Sequence, residues 1–313
     1  MNDFLWTEKF RPSKIEDCIL PENIKEIFQS FVREKNIPNL LIVGSPGVGK
    51  TSAAIAMIEE INGEWIKINS SLSRGIDVIR TEIMDFASSV SFRDGRKYII
   101  LDEADGLTSG AQDALKSFIE EFSSNAGFIL TCNSKEKIIE PIQSRCSLIT
   151  IVLDKENFPK LANQFMNSVI NILNKEEISY DKRTLALIIQ KFYPDWRRTI
   201  GEIQTYSMAN KTIDSGILSI NKVVDLKELI GFIKTKNWSE MRKWVGENYY
   251  SISDFNDFAN KLFIQMKDGL QRSCYPAYVL LYNRYDYQNH FVVDKETNLV
   301  AFVTEIMSEC VWE

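Results

Sequence analysis

Leu40-Leu41-Ile42-Val43-Gly44-Ser45-Pro46-Gly47-Val48-Gly49-Lys50-Thr51 is the stretch that decides the fold. Four apolar residues, Leu40 to Val43, read as a buried strand. Gly-x-x-x-x-Gly-Lys-Thr follows, and an apolar-periodic run from Ser52 to Ile58 then reads as a helix. Strand, glycine-rich loop and helix in that order make a phosphate-binding loop. The glycines let backbone N–H groups turn toward an anion with no Cβ in the way. The helix adds its positive N-terminal end. Gly44, Ser45, Pro46, Gly47, Val48, Gly49, Lys50, Thr51 and Ser52 are therefore candidates to hold a nucleoside triphosphate. Lys50 would reach the β- and γ-phosphates, and the Thr51 hydroxyl would hold Mg²⁺.

Further along, apolar runs at Trp65–Ile68, Tyr98–Leu101, Gly127–Thr131 and Leu148–Val152 read as strands. Between them, Ile76–Val90 and Gln112–Phe122 carry apolar residues at helical spacing, as Glu22–Arg33 does before the loop. Alternating strands and helices from about 40 to 152 predict an α/β fold, a parallel sheet covered on both faces. Beyond Asp154 the strand signals fade, and Phe158–Leu173, Asp181–Phe192 and Trp196–Met208 read as helices. The expected division is 1–152, 153–220 and 221–313, the last two helical. The last third holds seven of the eleven tyrosines, with Tyr275, Tyr278, Tyr282 and Tyr285 at helical spacing, as expected of a packed core or an interface.

The five cysteines are scattered and never form Cys-x-x-Cys, which argues for a reduced, intracellular protein with neither a disulfide framework nor a zinc site. A single histidine, His290, argues against a His-based metal or acid–base site. A net charge of −6 argues against coating nucleic acid with the whole surface and leaves room for a local basic face. No segment has the length and apolarity of a membrane span, and Met1 to Trp6 lacks the layout of a signal peptide; a cytoplasmic protein with no membrane partner is expected.

Asp102 and Glu103 close the strand at Tyr98–Leu101, at the sheet edge where ligands bind in open parallel sheets. An aspartate there can hold Mg²⁺ through water, and the adjacent glutamate can orient the attacking water.

With these residues in view, the chain resembles the AAA+ ATPases, and more narrowly the small subunits of sliding-clamp loaders of the replication factor C type and their T-even bacteriophage counterparts. Four stretches carry the resemblance. Glu8-Lys9-Phe10-Arg11-Pro12 resembles the family's Glu-Lys-Tyr-Arg-Pro, which lies near the adenine. Arg74-Gly75-Ile76-Asp77-Val78-Ile79-Arg80 resembles its Arg-Gly-Ile-x-x-Val-Arg. Thr131-Cys132-Asn133, and then Pro141-Ile142-Gln143-Ser144-Arg145-Cys146, match its sensor 1 and Ser-Arg-Cys motifs. Pro194-Asp195-Trp196-Arg197-Arg198 resembles its Gly-Asp-Met-Arg sensor 2. The likeness covers about 1–215; Pro194 and Trp196 depart from the pattern, and Val48 replaces a threonine where only backbone is used.

The resemblance implies a P-loop AAA+ domain, a helical lid and an all-α collar. It implies ATP and Mg²⁺ as cofactors, with Phe10, Arg11 and Pro12 at the base. Lys50, Glu103 and Asn133 would be catalytic, Arg197 would contact phosphate in cis, and Arg145 would be an arginine finger reaching a neighbour's nucleotide. Implied partners are a sliding clamp, other loader subunits in a homo- and hetero-oligomeric five-subunit spiral, and primer–template DNA. Arg74, Arg80 and Lys116 would face that DNA, and Ile76 fits either backbone packing or core. Arg93, Arg96 and Lys97 form another local basic cluster. The same residues also fit an AAA+ motor that remodels DNA, or a scaffold subunit that binds nucleotide for shape.

Overall fold

The computed structural model describes residues 4–70, 76–89, 96–154, 156–220, 225–252 and 254–312. The chain forms two compact units, Met1–Ile217 and Leu218–Glu313.

The first unit opens with α1 (Trp6–Lys9) and α2 (Glu22–Arg33), followed by β1 (Leu40–Gly44), α3 (Lys50–Glu60), β2 (Trp65–Asn69), α4 (Ile76–Ser88) and β3 (Lys97–Asp102). It continues through α5 (Ser109–Glu121), β4 (Ala126–Cys132), α6 (Glu140–Gln143) and β5 (Ser147–Ile151). The five strands are parallel, in the order β2-β3-β4-β1-β5. Both faces of the three central strands, β3, β4 and β1, are dry. Leu41, Val43, Ile99, Leu101, Phe128 and Leu130 point to one side, where α4 and α5 cover them. Leu40, Ile42, Ile100 and Ile129 point to the other, against Phe28 of α2 and Ala53 and Met57 of α3. Two covered faces explain why the central strands read as continuous apolar runs.

Helices α7 (Phe158–Lys175), α8 (Lys182–Phe192) and α9 (Trp196–Asn210) follow, with a two-residue parallel pair, β6 (Ser179–Tyr180) and β7 (Thr212–Ile213). Leu161, Phe165, Val169 and Ile172 form the buried stripe of α7, and the Phe165 ring packs 4.4 Å from that of Trp196. Asp181 and Asp195 cap α8 and α9 by accepting from the N–H of Thr184 and Arg198. Each cap fills one of the donors a helix start leaves open, worth about 1 kcal/mol.

Helix α10 (Gly216–Ile220) spans the boundary between the units, and the second unit holds α11 (Leu226–Lys234), α12 (Trp238–Asn248), α13 (Phe255–Met266), α14 (Tyr275–Asn289) and α15 (Lys295–Glu309). Its core centres on Phe302 and Val303 of α15. Tyr278 and Tyr285 are buried in it, their hydroxyls donating to the Ala259 carbonyl and to Glu305, while Tyr275 and Tyr282 pack at its margin. The tyrosine series is thus core, with its hydroxyls satisfied. Among the described residues, no helix is long and apolar enough to cross a membrane, and no group of three or more His, Cys, Asp and Glu is placed to hold a metal. All five cysteines are free and buried.

Candidate functional site

The strand order sets the site. Because β3, β4 and β1 are neighbours, their C-terminal ends lie side by side, and so do the loops that leave them. The pairing of Leu101 with Leu130 puts Asp102 next to Thr131, and that of Val43 with Cys132 puts Gly44 next to Asn133. Residues far apart in sequence are thereby delivered to one sheet edge, the usual place for a ligand in this architecture.

The loop after β1 turns through Gly47 (φ +75°) and Gly49 (φ +95°), the left-handed region that side chains avoid. Lys50 then folds back over it. Its ammonium donates to the carbonyls of Gly44 (2.7 Å) and Ser45 (2.9 Å) and to Asn133 Oδ1 (2.8 Å). Burial lowers its pKa from the usual lysine value, the price of holding an ammonium beside a cleft. Asn133 is fixed from its other side, since its backbone N–H donates to Asp105 Oδ2 at 3.3 Å.

Asp102 Oδ1 accepts from two hydroxyls, Thr51 Oγ1 at 2.7 Å and Thr131 Oγ1 at 2.6 Å. Thr131 Oγ1 also accepts from the Glu103 backbone N–H at 3.2 Å. One buried hydroxyl therefore ties the carboxylate at the strand end to the peptide that follows. Glu103 itself sits at φ +56°, ψ +46°, a left-handed conformation uncommon for a non-glycine residue, with its side chain exposed.

A cleft of about 780 Å³ lies over these groups. Pro46 to Ser52, Asp102, Glu103 and Asn133 line its floor. Phe10, Arg11 and Pro12 line one side, and Ser168, Asn171 and Lys175 of α7 with Trp196, Arg197 and Ile200 of α9 line the other. Lys9 pairs with Glu176 at 2.5 Å, and the Lys175 ammonium lies 5.7 Å from the Phe10 ring centre, so the N-terminal segment is fastened to α7. The lid helix α9 is fastened to the glycine-rich loop: the Trp196 N–H donates to the Gly47 carbonyl at 3.2 Å. Asp195, which caps α9, lies so close to Gly47 that a Cβ there would stand 1.8 Å from its Oδ1.

Most of the expected residues meet in this cleft. Gly44 and Ser45 contribute through the carbonyls that hold Lys50. Arg145 is not among the residues that line the cleft, and is bound to Glu120 and the Pro141 carbonyl instead. Arg80 is exposed on α4 and Lys116 is half-buried on α5. Arg74 lies outside the described residues, as does the side chain of Ile76, the first residue of α4. The basic cluster at 93–97 needs correcting. Arg93 lies outside the described residues. Arg96 donates to the carbonyls of Ser123 and Ala126. Lys97 is 3% exposed, its ammonium donating to the carbonyls of Phe86 and Ser89 and to the Ser89 hydroxyl. Both cations are spent on backbone carbonyls at helix and strand ends, which outcompete solvent once the side chain is covered.

The sequence reading left Thr131, Asp105 and Asp195 without a role. Thr131 had a signal, a hydroxyl directly after the apolar run Phe128-Ile129-Leu130; the other two become meaningful only once the strand order is known.

The chain's relatives agree with the geometry. Residues 40–153 match the family model of the ATPase family associated with various cellular activities (AAA). Residues 159–219 match that of the sliding-clamp-loader large subunit, AAA+ ATPase lid domain. The replication factor C small subunit of Saccharolobus solfataricus is 36% identical over 235 residues, 73% of this chain and 69% of that protein. The sliding-clamp-loader large subunit of Escherichia phage RB69 is 35% identical over 268 residues, 83% and 82% of the two chains. Among solved structures, a Thermotoga maritima RuvB mutant superposes with a TM-score of 0.55 at 14% identity over 75% of this chain and 86% of that one, a likeness of fold alone.

Proposed function

The chain belongs to the clamp-loader family of AAA ATPases, and from that membership we propose that it is the ATPase subunit of a ring that opens a sliding clamp and loads it on primer–template DNA, hydrolysis triggering release. The observation that carries this reading is a single cleft floored by Lys50, Asp102, Glu103 and Asn133 and roofed by Arg197. In it, ATP would place its phosphates against the N–H groups of the glycine-rich loop and the start of α3. Lys50 would exchange the Gly44, Ser45 and Asn133 oxygens for phosphate oxygens, releasing Asn133 to sense the terminal phosphate or its water. Glu103 would orient and polarise the attacking water, and Arg197 would bring the lid down on the phosphates. Phe10, Arg11 and Pro12 would bound the base.

The protein offers Mg²⁺ two oxygen donors at the cleft floor, the Thr51 hydroxyl and Asp102 Oδ1, 2.7 Å apart. Mg²⁺ takes one or two carboxylates plus substrate phosphates, so this donor set fits it. Bound there, it would neutralise charge developing on the phosphates.

Arg145 faces no part of its own cleft, which supports its acting on a neighbour's nucleotide. A finger supplied in trans contributes about 10³–10⁵ in turnover. The division 1–152, 153–220 and 221–313 then reads as nucleotide-binding domain, lid and oligomerisation collar, with Arg74, Ile76, Arg80 and Lys116 turned toward DNA. Sequence-independent phosphate contacts would suffice for that task. ATP turnover measured with the chain alone, then with partner subunit, clamp and primed DNA added in turn, tests the proposal. A clamp-dependent rise is expected; turnover indifferent to the clamp would overturn it.

A further inference from the structure

Arg145 follows α6, and its guanidinium reaches back to the last turn of α5. Nε donates to Glu120 Oε1 at 2.8 Å, Nη2 donates to the same oxygen, and Nη1 donates to the Pro141 carbonyl at 2.6 Å. A guanidinium carries five N–H groups in a fixed plane. Glu120 takes the side edge made by Nε and Nη2, and the carbonyl four residues back takes an N–H of Nη1. Two N–H groups are left over, one on each Nη, and a guanidinium N–H is well suited to a phosphate oxygen. The arginine side chain remains 30% exposed, so it is open in part to solvent or to a neighbour. The carbonyl end of α5 adds its own attraction for the cation.

We infer that Glu120 is a positioning residue for Arg145: its carboxylate holds the Nε and Nη2 side of the guanidinium so that the remaining Nη N–H groups are presented to the nucleotide of a neighbouring copy. The inference rests on the reading of Arg145 as a trans finger. A finger held this way has already given up its rotamer freedom before a nucleotide arrives, so the ordering cost is not met at each turnover. Misplacement of a catalytic group by an ångström costs up to about 10²-fold in rate. Because the Pro141 contact survives loss of Glu120, about tenfold is expected.

The test mixes full-length chains. An Arg145→Ala chain keeps its own cleft but donates no finger. A Lys50→Ala chain turns over no ATP of its own but still donates Arg145. Their mixture should recover phosphate release, and a Lys50→Ala/Glu120→Ala donor should recover about tenfold less. The Kd of a fluorescent ATP analogue and the melting midpoint of a Glu120→Ala chain should stay as in the parent. Glu120→Gln, which keeps an acceptor oxygen, should return part of the rate. If the first mixture recovers nothing, the trans reading of Arg145 falls and this inference with it. If it recovers equally with either donor, or if Kd and melting shift in step with the rate, Glu120 does not position the finger.

Discussion

Gly47→Ala separates two costs that are usually confounded at a glycine. Gly47 and Gly49 both sit at positive φ, +75° and +95°, so an alanine at either carries the same left-handed penalty, about 1–2 kcal/mol. Their surroundings differ. A Cβ at Gly49 meets nothing within 4 Å, whereas one at Gly47 would stand 1.8 Å from Asp195 Oδ1, 2.4 Å from its Cγ and 3.1 Å from its Cα. The carboxylate has to turn away, and it is not free to do so, because it accepts the Arg198 N–H at 2.9 Å as the cap of α9. Losing that cap costs about 1 kcal/mol. The crowded Cα pushes the start of α9 off the loop and stretches the bond from the Trp196 N–H to the Gly47 carbonyl, about 1 kcal/mol more. The excess over Gly49→Ala is therefore roughly 2 kcal/mol, or about 4–8 °C in the melting midpoint of a unit this size. Thermal unfolding of the nucleotide-free protein reads it directly. A double-mutant cycle with Asp195→Ala gives the second check, since the excess should shrink once the carboxylate is gone. Equal midpoints for Gly47→Ala and Gly49→Ala, or strict additivity in the cycle, would show that the loop and the lid helix are not mechanically joined at this point.

Three further outcomes are expected. Glu103→Gln should retain ATP binding while turnover falls by at least about 10²-fold, as expected when the group that orients water loses its charge; undiminished phosphate release in a rapid-quench assay would assign that role elsewhere. Lys97→Met removes an ammonium that donates to two backbone carbonyls and a hydroxyl at the end of α4; the Phe86 carbonyl keeps the Ser89 hydroxyl as a donor, so the cost is that of the lost charged hydrogen bonds, about 1–3 kcal/mol; amide exchange in the last turn of α4 should quicken, and unchanged protection there would count against the capping role. Asp294 is held below its usual 3.8 by hydrogen bonds from the Thr297 hydroxyl and backbone N–H. The unfolded chain therefore takes up that proton first as pH falls, so its stabilisation is present above about 3.8 and lost as pH drops through the lower folded value. Asp294→Asn, an equally good cap, should match the parent near neutrality and lose less of its melting midpoint between pH 5 and 3; an identical acid slope would rule the contribution out.

The elements were legible because each declares itself over a few residues. Leu40–Val43 became Leu40–Gly44, Gly127–Thr131 became Ala126–Cys132, and Leu148–Val152 became Ser147–Ile151, shifts of a residue at the ends. The cleft was less legible, for a reason that is topological. Lys50 and Asn133 are 83 residues apart, and nothing in their local spacing says that they touch; they do so because β4 inserts between β3 and β1. Motif resemblance supplied the residue types but not the bonds among them. The strand-end reading named Asp102 without the Thr131 hydroxyl that holds it, and the resemblance named Asn133 without the Asp105 carboxylate that accepts its backbone N–H.

The basic cluster at 93–97 failed for a different reason. A run of like charges looks solvated in a sequence, and whether a lysine stem is covered depends on which helix ends beside it. Lys97 begins β3 where α4 ends, so its charge serves the helix terminus instead of a ligand. The same logic bears on Arg145. Its partners within the chain make it look like an ordinary ion pair, and a cation whose donors were all consumed would have no further task. Three of its donors are bound to Glu120 and Pro141, so the two N–H groups left on Nη1 and Nη2 are what separate an arginine held for use from one merely paired.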